Sequence, residues 1–358
     1  MVNRKRQAVG LDNIRVGLAF DDVLLVPRRS SIRSRQDVSL ETRLSRRIRL
    51  QIPVIAANMD TVCEAPMAIA VARQGGIGIL HRFLSIESQA AMVSQVKALN
   101  LLVGAAIGTN DDTIERSRAL IEAGADALVL DIAHGHTEHA LEAVRHLSTL
   151  FGRDTDIIAG NVATRQGALD LIQAGADAVK VGVGPGGVCT TRLVAGVGMP
   201  QLTAIADIAG IDVPLIADGG IRRSGDIAKA LAAGADTVMI GSLFAGTDES
   251  PGEIEQSSRG LVKTIRGMST HEAVAARALR TGEEIDDEYF EQRAAEGVSG
   301  TVAYRGKVGK LIAQLMGGVK SAMSYSDART IPELWEKAEF VRVTQAGLAE
   351  SHPHGTLS

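Results

Sequence analysis

The chain's 358 residues, 45% hydrophobic and 22% charged with a formal net charge of -4, exclude a disordered or fibrous polymer and leave ample apolar material for a core. Aromatics at 3% argue against a stacking platform for single-stranded nucleic acid, and no apolar run reaches the roughly eighteen residues that span a bilayer, so neither nucleic acid nor membrane is expected as a partner. Two cysteines supply no disulfide framework, which together with the missing signal peptide points to a reducing cytoplasm.

After a basic start, "MVNRKRQAVGL", that reads as a plain terminus, short apolar runs recur along the chain. They are "IPVIAAN" (52–58), "GIGIL" (76–80), "LLVGAAIG" (101–108) and "ALVLDIA" (127–133), then "DIIAGNV" (156–162), "AVKVGVG" (178–184), "PLIADGG" (214–220) and "TVMIGS" (237–242). Continuous hydrophobicity is what strands buried on both faces require, and such strands belong to parallel sheets. Helical patterns lie between them, with Ser85 and Ser224 as N-caps. The glycine of a thrice-repeated "AGAD" (Gly124, Gly175, Gly234) falls where a helix would end. Eight such units of about 25 residues fit a closed (β/α)8 TIM barrel better than an open doubly wound sheet. The expected organisation is one catalytic barrel domain over 1–358, with βα units at about 52–245, a polar flap at about 246–306, and C-terminal helices and tail at 307–358.

Chemistry in such barrels sits at the C-terminal ends of the strands. Asn58 and Asp60 follow the first, Asp131 and His134 the fourth, Asn161 the fifth, Asp218-Gly219-Gly220 the seventh and Gly241-Ser242 the eighth. The last two positions suit a phosphate held by backbone N–H groups, hence a phosphorylated small molecule. The sixth strand runs into "GPGGVCTTR". Cys189 has no second Cys or His at ligand spacing, while Gly184, Gly186 and Gly187 leave room for a ligand and Arg192 could favour a thiolate. Cys189 therefore reads as a nucleophile, with the Thr191 hydroxyl able to relay a proton, and Cys63 as a buried small hydrophobe.

The motifs "AANMDTV", "DIAHGH", "AGNVAT", "KVGVGPGGVCTTRLVAGVGMPQLTAI", "IADGGIRRSGDIAKALAAGAD", "VMIGSLFAGTDESPGE" and "RGMS" together resemble the inosine monophosphate dehydrogenase / GMP reductase family, from about residue 16 to 354. The resemblance implies a barrel assembled as a homotetramer, a purine nucleotide monophosphate (GMP or IMP) as substrate, and attack by Cys189 on C2 of the purine. It further implies that Asp218 holds the ribose, that Gly220, Gly241 and Ser242 hold the phosphate, that backbone groups near Met268 and Ser269 read the base edge, and that Asn58 and Gly267 also bind the substrate. Asp131, Asn161, Ser269 and Arg293 would bind the cofactor. Gly184, Gly186 and Cys189 with Glu350, Ser351 and His352 would form a potassium site. Gly187 and Ile265 depart from the family's usual Ser and Tyr, which puts phosphate affinity in doubt.

Two activities share the cysteine. The dehydrogenase oxidises IMP with NAD and must activate water, whereas the reductase expels ammonia from GMP and uses NADPH. "LVAGVGMPQ", "AHGH", "TVAYRG" and "AGLAESHPH" resemble the dehydrogenase, but the flap reads "DDEYF", with Glu288 where the dehydrogenase has an arginine. "GMSTHEA" and "EQRAAEG" resemble the reductase, with Glu296 as the acid/base beside Thr191, although Arg82 occupies the place of a lysine. The direct run "VKALNLLVGAAIG" leaves no place for the paired CBS regulatory module, so no CBS domain is expected. GMP reductase with NADPH is the favoured reading. The alternatives are an IMP dehydrogenase using NAD and an inactive nucleotide-binding relative.

Overall fold

The structure is a computed structural model that describes residues 14–258, 260–285, 288, 290 and 292–352. The basic start, and Asp286, Asp287 and Tyr289 of the flap motif, lie outside the described residues.

Eight parallel strands close into a barrel in chain order: Val54–Ala56, Ile77–Leu80, Val103–Ile107, Ala127–Asp131, Asp156–Val162, Ala178–Val181, Leu215–Asp218 and Thr237–Ile240, the last pairing with the first. With the helices outside them they form a (β/α)8 TIM barrel. Each strand is buried on both faces, which explains why every one reads as an unbroken apolar run. Several runs were expected to extend further than the pairing does. The sixth and seventh stop short because Gly182, Gly184, Gly219 and Gly220 carry positive φ values of 152°, 86°, 96° and 80°, a backbone that leaves the sheet.

The glycines of "AGAD" terminate helices as expected, with φ of 98°, 110° and 114° at Gly124, Gly175 and Gly234. The aspartate of each repeat has a role that the sequence pattern did not announce. Asp126, Asp177 and Asp236 each accept through Oδ2, at 2.9 Å, the N–H of a residue opening the preceding strand (Val103, Ile157, Leu215). Each also donates its own N–H to that residue's carbonyl, at 2.9, 2.7 and 2.9 Å respectively. A two-way clamp of this kind fixes the register between neighbouring strands.

Ser85 caps its helix (Ile86–Lys97) by accepting from the Ser88 N–H at 3.2 Å. Ser224 does not cap: it is the first residue of the helix Ser224–Ala232, with Arg223 before it. A side chain at Gly318 would lie 2.2 Å from the Ser224 hydroxyl, so Ser224 marks the closest approach of the C-terminal helix Val308–Tyr325 to the barrel. The flap is more regular than a polar lid: strands Glu255–Ser257, Gly260–Arg266 and Ser299–Ala303 form an antiparallel sheet, and the helix His271–Thr281 rises from it. No helix of the described residues is long and apolar enough to cross a membrane.

Candidate active site

A cavity of about 300 Å³ opens at the C-terminal mouth of the barrel. Cys189, Thr191, Glu296, Asp131, Asn161, Asp218, Gly184, Gly186, Gly267, Met268 and Ser269 all line it, joined by Met59, Arg82 and Phe83. Residues from several strand ends and the flap thus meet in one place.

The cysteine loop is shaped by its glycines and zipped to the flap. Cys189 N–H turns back to the Gly186 carbonyl at 3.1 Å, Thr190 donates to the Glu296 carbonyl at 2.9 Å, and Val298 donates to Val188 at 2.9 Å. This main-chain seam holds Glu296 beside the cysteine. The Sγ of Cys189 lies 3.2 Å from the Thr191 hydroxyl, within reach of proton exchange. Arg192 does not face the sulfur. Its guanidinium donates to the Met199 carbonyl at 2.5 Å, and its stem covers Gly184 and Gly198, so it braces the loop from outside. Cys63 is fully buried just before the first barrel helix, Ala65–Arg73, and burial pushes its thiol pKa up, which leaves it an inert filler.

The centre of the site rests on Lys180, whose side chain is 1% exposed. Its ammonium donates to Asp131 at 2.7 Å, to Asp218 at 2.8 Å and to the Asn161 side-chain oxygen. Burial alone would lower its pKa, but the two carboxylates outweigh that and raise it, so the group stays charged. Burial likewise favours a neutral Asp131, yet Lys180, Arg82 and a hydrogen bond from Asn58 hold its carboxyl below the usual range. Asn161 sits at a register shift between Gly160 and Val162, which frees its side chain to donate to the Gly182 carbonyl at 2.7 Å and to Asp218 at 2.9 Å. Four strand ends are thereby tied into one polar network. Lys180 escapes a reading of the sequence because it sits inside an otherwise apolar run. A charged residue in a strand buried on both faces was the available signal.

The remaining expected residues lie around this cavity. Asn58 is buried behind it, against Asp131. Gly220, Gly241 and Ser242 stand at the ends of the seventh and eighth strands, where Ser242 opens the short helix Ser242–Ala245. A side chain built at Gly187 would come 3.0 Å from the Ser242 hydroxyl, so that hydroxyl occupies the space a serine at 187 would share. Ile265 is 2% exposed and packed in the core. Arg293 lines an adjoining cavity of about 830 Å³, which shares Arg82 with the first and also carries Arg116 and Arg277. Burial and the nearby Arg277 and Arg116 lower the pKa of Arg82 against the pull of Asp131. Glu288 is exposed and accepts from Gln292 at 2.7 Å, away from the cavity. Glu350, Ser351 and His352 end an exposed C-terminal helix, Gln345–Glu350, and do not line the cavity.

A barrel whose mouth gathers a cysteine, a hydroxyl and a carboxylate beside a polar network, with a second charged cavity adjoining, has the layout of an enzyme site for a small molecule. The IMP dehydrogenase / GMP reductase domain model matches residues 17–354, and the chain belongs to that family. Its members are oxidoreductases that act on purine nucleotides with nicotinamide cofactors. An inosine-5'-monophosphate dehydrogenase of Cryptosporidium parvum is 41% identical, covering 97% of each chain. A GMP reductase of Leishmania major is 37% identical over 94% of this chain and 96% of its own. The crystal structure of a GMP reductase variant from Trypanosoma brucei in complex with guanosine 5'-monophosphate superposes with a TM-score of 0.90 at 37% identity, covering 97% of this chain and 99% of that one.

Proposed function

We propose that the chain is a GMP reductase, converting GMP to IMP and ammonia with NADPH through a covalent bond between Cys189 and C2 of the purine. The observation that carries this reading is Cys189, Thr191 and Glu296 on one cavity, where the flap contributes a carboxylate and, among the described residues, no arginine. The Cys189 thiolate adds to C2. Thr191 and Glu296 deliver the proton that the 2-amino group needs to leave as ammonia when the C2–N2 bond breaks. A nicotinamide held on the side of Asp131, Asn161 and Ser269 would supply the hydride that replaces sulfur at C2, with the electron pair of the C–S bond returning to Cys189. Water activation, which IMP oxidation demands at the same stage, has no flap guanidinium on this cavity among the described residues, since Glu288 stands in the arginine's place, exposed and accepting from Gln292.

In this reading Asp218 holds the ribose and Gly220, Gly241 and Ser242 the phosphate, with Asn58 and residues 267–269 at the base. Asp131, Asn161 and Ser269 face the nicotinamide side. The larger cavity, lined by arginines and carboxylates alike, has room for the rest of a dinucleotide, and Arg293 on its wall suits a 2'-phosphate. A potassium ion held by the Gly184–Gly186–Cys189 loop together with Glu350, Ser351 and His352 requires a second copy, because that helix lies off the cavity within one chain. A homotetramer is part of the same proposal.

The test is the reduced-nicotinamide absorbance of the purified enzyme with GMP plus NADPH, and separately with IMP, NAD and potassium. A falling signal with ammonia released in the first, abolished in Cys189→Ala while nucleotide still binds, is the expected result. Sustained formation of XMP in the second overturns the reductase reading in favour of the dehydrogenase. Binding without turnover in both leaves a nucleotide-binding relative.

A further inference from the structure

The contacts beneath the flap converge on a residue that does not itself line the cavity. Asp60 lies four residues beyond the end of the first barrel strand, and its side chain is 0% exposed. Its carboxylate accepts the Nε of Arg266 at 3.3 Å on one oxygen and 3.0 Å on the other, and the Nη2 of the same guanidinium closes onto the second oxygen. Arg280 approaches that oxygen at 4.0 Å. Arg266 ends the central flap strand, Gly260–Arg266, and Arg280 belongs to the flap helix, His271–Thr281, so one barrel carboxylate is shared by both elements of the flap.

Two main-chain contacts extend the same grip. The Asp60 N–H points at the Met268 sulfur at 3.3 Å, and the Arg266 N–H reaches the Thr61 hydroxyl at 3.4 Å. Residues 60 and 61 therefore hold the flap on both sides of Gly267. Gly267 itself has no slack, because a Cβ there would meet the Val188 carbonyl at 3.0 Å and the Gly297 backbone at 3.2 Å. Any displacement of residues 267–269 is confined by the cysteine loop on one side and set by the Asp60 anchor on the other.

We propose that Asp60 is a positioning residue for the purine: the Asp60–Arg266 ion pair, backed by Arg280, fixes residues 267–269 at the place where their backbone receives the base. The proposal rests on the reading of 267–269 as the base-contacting segment. A buried ion pair of this kind is a weak source of net stability but a strong constraint on geometry, and a shift of about 1 Å in a positioning segment is enough to degrade a site. Asp60 acts on ground-state binding of the nucleotide, since its anchor lies on the base side of the cavity and does not include Cys189, Thr191 or Glu296.

The experiment is Asp60→Asn in the full chain, which keeps the shape and one acceptor but removes the charge, with steady-state kinetics for GMP and calorimetry of GMP and IMP binding. The expected result is a rise of about tenfold in both KM and Kd for the nucleotide, with kcat within about threefold of the parent. Unchanged nucleotide affinity overturns the proposal whatever happens to the melting temperature, because a merely structural ion pair would move only the latter. A fall in kcat at constant KM overturns it too. Should Asp60→Asn fail to fold, Arg266→Lys and Arg266→Gln carry the test: the lysine variant keeps the charge without the fork and is expected to bind GMP between the parent and the glutamine variant, and equal affinity in all three refutes the anchor. Calorimetry reads the same ranking if the chain turns out not to reduce GMP, so failure of the reductase reading and failure of the anchor are separable.

Discussion

Single residues carry the chemistry here, and they differ in how plainly the sequence announces them. Cys189 stands out because a thiol amid glycines at a strand end has few structural uses, and the loop glycines were legible for the same reason. Lys180 was not, because its meaning depends on Asp131, Asn161 and Asp218, which lie 49, 19 and 38 residues away on three other strands. Its removal makes a sharp test. In Lys180→Met two carboxylates face one another without the ammonium between them, left with hydrogen bonds from Asn58 and Asn161 and the more distant charge of Arg82. Asp131, now held low chiefly by Lys180, stabilises the fold above its unfolded pKa and loses that contribution as pH falls through its depressed folded value. The gap in stability between parent and variant is therefore expected to be widest near neutrality, about 3–5 kcal/mol, and to close toward acid. The acidic limb of the pH–activity profile should move to higher pH at the same time. Equal melting temperatures at pH 7 with an unmoved limb would show that the asparagines and Arg82 suffice to hold the carboxylates.

At the level of elements, all eight strands were legible from continuous apolar runs, and the errors fell at their ends, where glycine extends a run in sequence but leaves the sheet in space. Helix starts were less legible. Ser85 and Ser224 carry the same side chain, yet only the first caps, because the second is drawn into contact with the C-terminal helix at Gly318. The "AGAD" clamps show a third case, a repeat whose glycine was readable and whose aspartate was not. One clamp is also a titration device. Asp236 is 7% exposed, and burial pushes its pKa up to about 6 despite the Leu215 N–H and Arg43 at 3.7 Å. Because the folded value is raised above the unfolded one, the carboxyl's contribution is fully present below the unfolded pKa and is lost as pH rises through about 6. Asp236→Asn keeps an acceptor for Leu215 without the buried charge. The variant is expected to be more stable than the parent above pH 6, by about 3 kcal/mol at most, with the advantage shrinking to nothing as pH falls from about 6 to 4. Denaturation midpoints at a series of pH values decide it, and a pH-independent difference would mean that Asp236 is not protonated in the folded state.

On the scale of the whole molecule, the closed barrel was legible because eight similar units leave little topological choice. The lie of the surface was not. The short helix Thr191–Val194 exposes Leu193 at 87% and Val194 at 47%, and the loop after it exposes Val197 at 58%, an apolar ridge on the element that carries Thr191. Leucine at that exposure is costly to leave in water and suits burial against another copy of the chain. The homotetramer proposed above would place this ridge at a contact between protomers. Leu193→Lys places a charge in that contact without touching the barrel core, so light scattering should report a smaller particle than the parent while the melting transition of the barrel persists. Turnover should fall along with the assembly, because the loop that leaves the contact is the one that holds Thr191 3.2 Å from Cys189. A parent chain that is already monomeric, or a variant that keeps both its size and its rate, would mean that the ridge is covered by nothing the activity needs.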